Sequence, residues 1–379
     1  MKHFTLKLFS LKSLSFKTGA VLIVLMMSVF CTKLWAQEPV WFGNKNASRI
    51  LYINSALDLA SFEPILNTFA ALHPDVRIAY RDVNTLDLYF LTIEQQAVEQ
   101  QSIDKKAHPI ASLTISSAMD LHLKLVNDGY AQTYQSSFTD RLADNFKWRN
   151  QLFAFSLEPI VMLVNKQAFP GNLPEDRQSL LQTIRQNGDD ITKRIGTYDI
   201  RQSGVGYLLA SQDARQADAT WGRLLEAFGS HDVQTYCCTH QIIDDVASGK
   251  LVLGYNLLGS YASQRARDDD RLKMILPKDY TLMLMRAALI PKNAPNPEDA
   301  GIFMDFLLSD TAQKMMQDQG LLFPIRPDLN NPNDPYVVDA PGPTGVIELD
   351  QQLLVGRDYA KQKRFIHNWE IALEISKGE

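Results

Sequence analysis

Two short segments put hydroxyl and backbone donors where a predicted strand runs into a predicted helix, the kind of junction at which open α/β sheets hold ligands. In the first, Ile110–Ile115 leads through Ser116 and Ser117 to Ala118, Met119 and Asp120, and Ser117 and Asp120 have capping-box spacing. A helix starting there presents unpaired N–H groups and a partial positive charge worth about 0.3–1 kcal/mol to an anion. The same residues fit a plainer role, in which Ser117 only caps its own helix. In the second, Ile195–Ile200 runs into Ser203-Gly204-Val205-Gly206 ahead of a helix expected from about Tyr207. That loop lets a ligand oxygen approach backbone N–H groups, or serves as a simple turn.

The remaining reactive residues are less organised. Cys237 and Cys238 are adjacent, so in an oxidising compartment they form a vicinal disulfide or stay as two thiols. A soft-metal site with nearby His240 would lack a third or fourth ligand. The seven histidines show no metal-ligand spacing, and GxSxG, HExxH, P-loop and GxGxxG motifs are all missing. Asp189-Asp190 and Asp244-Asp245 read as solvated faces, and Asp268-Asp269-Asp270 as a turn. No nucleophile comes with a base, so no catalytic activity, cofactor or metal site is expected.

The elements that must position these residues alternate. Arg49–Asn54 is a β-prone run, followed by a helix with Ser61 as N-cap, Pro64 in its first turn, and Phe62, Ile65, Leu66 and Phe69 on one face. Val76–Tyr80 is the next strand, and Thr85–Gln101 the next helix, with Leu86, Phe90, Ile93 and Ala97 on one face. A second series begins near Glu158, with strands Ile160–Asn165, Ile195–Ile200 and Leu251–Tyr255, and helices over Leu180–Arg185 and Ile242–Ser248. Met283–Pro291 is a buried strand that returns to the first series. Asn296-Pro297-Glu298-Asp299 starts a helix, Ser309 caps another, Pro324–Pro343 meanders, and Val346–Ser376 is helical. With 45% hydrophobic residues in 379, two globular units fit the length.

The N-terminus sets the compartment. Gly19–Phe30 is uncharged, follows lysines, and is shorter than the ~20 residues of a stable membrane span, so residues 1–36 read as a signal peptide cleaved after Ala36. Lipidation at Cys31 is disfavoured by Phe30 before it. The segment holds five lysines and no acid, so a whole-chain charge of −5 becomes −10 once it is removed. A chain that acidic lacks the phosphate-neutralising surface of a nucleic-acid binder. The mature protein is expected to be periplasmic, without a membrane span.

Several phrases carry a family resemblance: residues 51–78, 114–134, the crossover EPIVMLVNK (158–166), 195–214 and 297–316. In this order they resemble the extracytoplasmic solute-binding proteins of ABC transporters, in the subgroup similar to ferric-ion-binding proteins. SSAMDL, LVNDGYA and GTYDI…SGVGY look most like the phosphoglycerate transport regulatory type. The resemblance implies a two-lobed periplasmic-binding-protein-like α/β fold (type 2), each lobe a mixed sheet flanked by helices. Lobe one would comprise 37–157 and 279–379 with a C-terminal helical extension, and lobe two 158–278, joined by hinges near Phe155–Pro159 and Pro277–Leu282. It implies a monomer that closes over a small phosphorylated or carboxylated metabolite and presents it to an ABC permease or a sensor histidine kinase. The alternatives are ferric-ion transport and, more distantly, a periplasmic enzyme. Iron is disfavoured because Leu257, Leu258 and Gly259 stand where ferric relatives carry adjacent tyrosines, leaving Tyr255 and Tyr261 six apart. The expected contacts are Ser55, Ser116, Ser117 and Ala118 from lobe one, with Trp148 as cleft wall or lobe packing. Lobe two would offer Ser203, Gly204, Tyr207, Tyr255 and Asn256, with Arg201 as counter-charge.

Overall fold

The computed structural model describes residues 38–98, 109–325 and 341–375. The signal segment, Gln101, Ser376 and most of the Pro-rich stretch lie outside them. Among the described residues there are twelve strands: β1 (Val40–Phe42), β2 (Arg49–Ser55), β3 (Val76–Asp82), β4 (Leu113–Ser116), β5 (Lys147–Trp148), β6 (Leu152–Asn165), β7 (Ile195–Tyr198), β8 (Gln234–Tyr236), β9 (Leu253–Leu258), β10 (Leu272–Ile275), β11 (Thr281–Leu289) and β12 (Thr344–Val346). Nine of them run in the order β1-β3-β2-β4-β11-β6-β9-β7-β8, with β5 and β10 paired to β6 and β12 to β11.

This order describes two lobes sharing one long strand. In the first lobe β2 runs parallel to β3 and β4, and β11 is antiparallel to β4. In the second, β7 runs parallel to β8 and β9. The first half of β6 pairs with β11 as far as Pro159, and the second half pairs with β9 and β10. The run LFAFSLEPIVMLVN is almost wholly buried, as a strand covered on both faces must be. The sequence pattern marks only its second half, Ile160–Asn165, as a strand, because Pro159 interrupts the run. Proline is tolerated here at the change of partners, where a ladder bond is dispensable.

Helical boundaries depart from expectation where side chains found other partners. The first helix spans Leu59–Leu72 with Asp58 at its N-cap, so Pro64 lies inside it rather than in the first turn. Ser61 does not cap; its hydroxyl donates to Gln264 of the second lobe (3.0 Å). In helix Thr85–Val98 the buried side chains include Leu88, Leu91, Thr92 and Gln95, while Phe90 is exposed. Elsewhere the local signals hold: Pro297 opens helix Pro297–Leu308, and the Ser309 hydroxyl accepts from the Ala312 N–H to start Asp310–Asp318.

Three apolar clusters form the core. Phe62, Phe69, Phe155, Phe303 and Phe306 anchor the first lobe; Phe228, Trp221 and Leu224 anchor the second. The third spans both, joining Met119, Leu123 and Leu125 to Tyr198, Leu208, Ile242 and Tyr261. The lobes therefore meet along a packed seam. The C-terminal segment crosses it. β12, unforeseen in the sequence, adds parallel to β11, and Ile347, Leu349 and Leu353 join the shared cluster. Helix Tyr359–Ala372 then seats Trp369 in the second lobe's core, although chain order would assign the whole extension to the first lobe.

Candidate functional site

One end of the seam is built from the two strand–helix junctions. β4 ends at Ser116, whose hydroxyl accepts from the Ala118 N–H (3.0 Å) and turns the chain sharply into helix Met119–Asn127. The capping box expected here does not form. Ala118 occupies the N-cap, and the Asp120 carboxylate accepts from Leu121 N–H (2.9 Å) and from Arg357 Nε (2.7 Å). Ser117 is left with a buried hydroxyl that has no hydrogen-bond partner among the described residues. Buried hydroxyls are costly when unpaired, so one at a helix start marks a place where an acceptor belongs.

The second junction lies directly opposite. Helix Gly204–Gln216 starts three residues before the expected Tyr207, because the Ser203 hydroxyl accepts from the Gly206 N–H (3.1 Å). The Val205 N–H donates to Thr85 Oγ1 of the first lobe (3.2 Å). A β-carbon on Gly204 would lie 2.7 Å from Leu121 Cδ1, 3.0 Å from Thr85 Oγ1 and 3.3 Å from Ala118 Cβ. Only glycine lets the lobes approach this closely. Arg357 Nη2 donates to the Gly204 carbonyl (3.4 Å) while Nε holds Asp120, so one guanidinium from the C-terminal segment touches both junctions.

The other end of the seam is polar and crowded. Ser55 closes β2, its hydroxyl accepting from the Leu57 N–H (3.1 Å), and Tyr80 donates to the Leu57 carbonyl. The Asp58 N–H donates to the Tyr261 hydroxyl across the seam (2.9 Å), and the Asp58 carboxylate is 3.8 Å from His240. Burial raises the affinity of Asp58 for its proton, against the pull of His240 and Arg286. Burial, reinforced by the Asp58 charge, pushes Asp82 up to about 7. Arg286, fully buried, donates Nε to Glu158 (2.7 Å), Nη1 to the Tyr261 hydroxyl (3.2 Å) and Nη2 to the Ser260 hydroxyl (3.1 Å). Glu158 also accepts from the Ser260 hydroxyl and N–H. Neither Arg286 nor Glu158 was singled out as a site residue from the sequence. The available signal was a lone charge inside an apolar strand, since such residues are buried only with partners.

The structure brings Ser55, Ser116, Ser117, Ala118, Ser203 and Gly204 to the seam, and places the other expected contacts elsewhere. Tyr255 and Asn256 turn into the second lobe, where the Tyr255 hydroxyl (2.9 Å) and the Asn256 amide (2.8 Å) donate to Asp213. Asn256 holds φ +61°, a left-handed conformation that asparagine tolerates. Arg201 donates Nε and Nη2 to its neighbour Asp199 (2.9 and 2.7 Å), with Glu370 of the C-terminal helix 3.6 Å from Nη1, so its charge is already matched. Tyr207 donates to the Gly356 carbonyl, and burial pushes its hydroxyl up to about 12. Trp148 packs beside the shared cluster, its buried indole N–H without a partner among the described residues. Cys237 and Cys238 are bonded to one another just before helix Thr239–Ala247. That helix start faces the seam, with Thr239 bonded to the Tyr198 hydroxyl (2.6 Å).

Among the described residues, no group of three or more His, Cys, Asp or Glu is arranged to hold a metal ion, and no helix is long and apolar enough to cross a membrane. Two lobes meeting at paired strand–helix junctions, joined by shared strands, are the architecture of a solute receptor. Residues 108–341 match the family model described as bacterial extracellular solute-binding protein. The chain belongs to this solute-binding family. It is similar, at 30% identity and a TM-score of 0.82, to the substrate-binding protein of an ABC transporter from Agrobacterium tumefaciens, with 89% of this chain and 98% of that one covered. It shares its fold with AfuA from Actinobacillus pleuropneumoniae, solved with fructose-6-phosphate bound (17% identity, TM-score 0.63, 86% and 99% covered). It also shares it with iron-bound HitA from Pseudomonas aeruginosa (13% identity, TM-score 0.67, 85% and 99% covered). No curated protein matches the sequence. Members of this family bind solutes and are not catalysts, as expected from the lack of a paired nucleophile and base, and the family is extracytoplasmic.

Proposed function

We propose that this solute-binding protein captures a small anionic solute, a phosphorylated or carboxylated metabolite, at the seam, and presents it by lobe closure to an ABC permease or a sensor histidine kinase. The observation that carries this reading is the partnerless, buried hydroxyl of Ser117 at the start of helix Met119–Asn127, facing the start of helix Gly204–Gln216 from the other lobe. An anion admitted between them would accept from Ser117 and from helix-start N–H groups of both lobes, displacing direct contacts such as Val205 N–H to Thr85 Oγ1. Arg357 and Arg286, like Arg201, are each already paired with a carboxylate, Asp120 and Glu158 respectively, so in this reading the Ser117 hydroxyl and the helix-start N–H groups hold the anion.

The lobes in this reading are 37–157 with 279–379, and 158–278, with helix Tyr359–Ala372 at the end of the first packed onto the second. Their hinges are near Phe155–Pro159 and Pro277–Leu282, with residues 1–36 removed on export. Similarity to an ABC transporter's substrate-binding protein supports the permease as partner. Ferric ion is the weaker cargo, because burial raises the proton affinity of the Tyr198 and Tyr261 hydroxyls and so opposes the phenolate form iron needs.

Thermal denaturation with 3-phosphoglycerate, phosphoenolpyruvate, citrate and ferric ion tests the proposal. Ligand at a hundred times its dissociation constant adds ~2.7 kcal/mol, an easily read rise in Tm. The proposal expects that rise with at least one of the anions. A rise with iron alone, with phenolate-to-metal colour, would replace it with iron transport.

A further inference from the structure

A cavity of about 330 Å³ lies between helix Gly204–Gln216 and the C-terminal segment, alongside the first junction, whose Asp120 is part of its lining. That is within the range of small-molecule sites. Its apolar wall is Tyr207, Leu208, Leu353 and Phe365. Three cations, Arg215, Lys361 and Arg364, also line it. The acid in its lining, Asp120, is neutralised by Arg357. Lys361 and Arg364 have no ion-pair partner among the described residues, while Arg215 reaches the Gln352 side-chain oxygen. In a chain of net negative charge, three cations around one apolar hollow are a local reversal of sign.

We propose that this cavity is a second ligand site, beside the Ser117 site and separate from it, that takes an amphipathic anion: an apolar chain or ring system bearing one carboxylate, sulfonate or phosphate. The apolar body lies against Tyr207, Leu208, Leu353 and Phe365, and the anionic head meets Lys361 and Arg364 at the rim. A small polar metabolite of the kind proposed for the seam would leave the apolar wall unfilled. A cationic amphiphile would face three like charges.

Fluorescence titration of the mature protein with 8-anilino-1-naphthalenesulfonate, followed by displacement, tests the site. One equivalent is expected to bind, to be displaced by decanoate, and to resist both decylamine and whichever anion raises Tm at the seam. The paired substitutions Lys361→Glu and Arg364→Glu alter exposed side chains and leave Tm within a degree or two, yet weaken the probe tenfold or more. Leu208→Ala, which trims the apolar wall, supplies a second variant independent of charge and is also expected to weaken binding. Unchanged affinity in the charge-reversed protein would overturn the proposal, as would displacement by the seam's anion or by decylamine. Failure of the wild-type protein to bind one equivalent would overturn it too.

Discussion

Two buried arginine clusters use the same residue types for opposite ends. In the second lobe, Arg177 donates Nε to Tyr255 (2.8 Å), Nη1 to Asp279 and the Tyr280 carbonyl, and Nη2 to Asp213 (3.0 Å). Asp213 also accepts from Tyr255, Tyr280 and Asn256. Every strong donor and acceptor has found a partner in a web that needs nothing from the facing lobe's junctions. At the seam, Arg286 with Glu158, Ser260 and Tyr261 forms a similar set, but its Tyr261 hydroxyl accepts from Asp58 N–H on the other side. The first cluster takes its partners from the second lobe and from Asp279 and Tyr280 beside the hinge, and none from the junctions. The second would lose the Asp58 N–H if the lobes parted, which the proposed closure requires.

Breaking the first cluster should have the largest effect. Asp213→Ala strands Arg177 in the core, and losing one partner of a buried ion pair typically costs about 3–5 kcal/mol. Denaturant unfolding should show that loss in ligand-free protein. Loss of ligand affinity at unchanged stability would make Tyr255 and Asn256 site residues after all.

Gly204→Ala acts on closure. The added methyl meets Leu121, Thr85 and Ala118 only when the lobes are shut, and overpacking of this kind costs about 1–3 kcal/mol. Ligand affinity should fall by roughly five- to a hundredfold, with a smaller change in ligand-free Tm, as read by calorimetric titration. Undiminished affinity would place the binding surface elsewhere.

Asp82 sharpens the comparison through pH. Its folded-state value of about 7 lies above the ordinary 3.8, so between those limits the folded protein holds the extra proton. Stability therefore falls as pH rises from about 4 to about 7, then levels off. Asp82→Asn keeps an acceptor for the Leu59 N–H and removes the slope. It should match the wild type near pH 4 and exceed it at pH 8 by about 1–2 kcal/mol, the full shift being reduced by solvent screening of this part-exposed carboxylate. Parallel stability curves for the two proteins would contradict the assignment.

The smallest effect belongs to the disulfide. Joining neighbouring residues removes little chain entropy, so replacing Cys237 and Cys238 with serines should cost under about 1 kcal/mol. A larger loss would mean that the bond holds Thr239 and His240 at the seam.

Legibility in the sequence followed how local each signal was. Pro297, Ser309 and the β2–β3 alternation act within a few residues, and all were read correctly. Ser61, Asp120 and Arg201 were misread because their partners are Gln264, Arg357 and Asp199 with Glu370, and three of these four lie far along the chain. The two strand–helix junctions were legible from element order alone. The direction of Tyr255 was not, because alternation along β9 does not say which face meets the other lobe. Phe90 shows the same weakness on a helix: helical spacing grouped it with buried neighbours, yet the packed face is that of Leu88 and Leu91.

The most direct test is a calorimetric titration of wild type and Ser117→Ala with the anion that raises Tm, alongside their ligand-free stabilities. The Ser117 hydroxyl has no partner to lose among the described residues, so the variant should be as stable as the wild type or slightly more so. A hydrogen bond to a charged acceptor contributes about 1.5–3 kcal/mol, so the same variant should bind the anion roughly ten- to a hundredfold more weakly. Equal affinity in the two proteins would contradict the claim that the paired helix starts hold the solute.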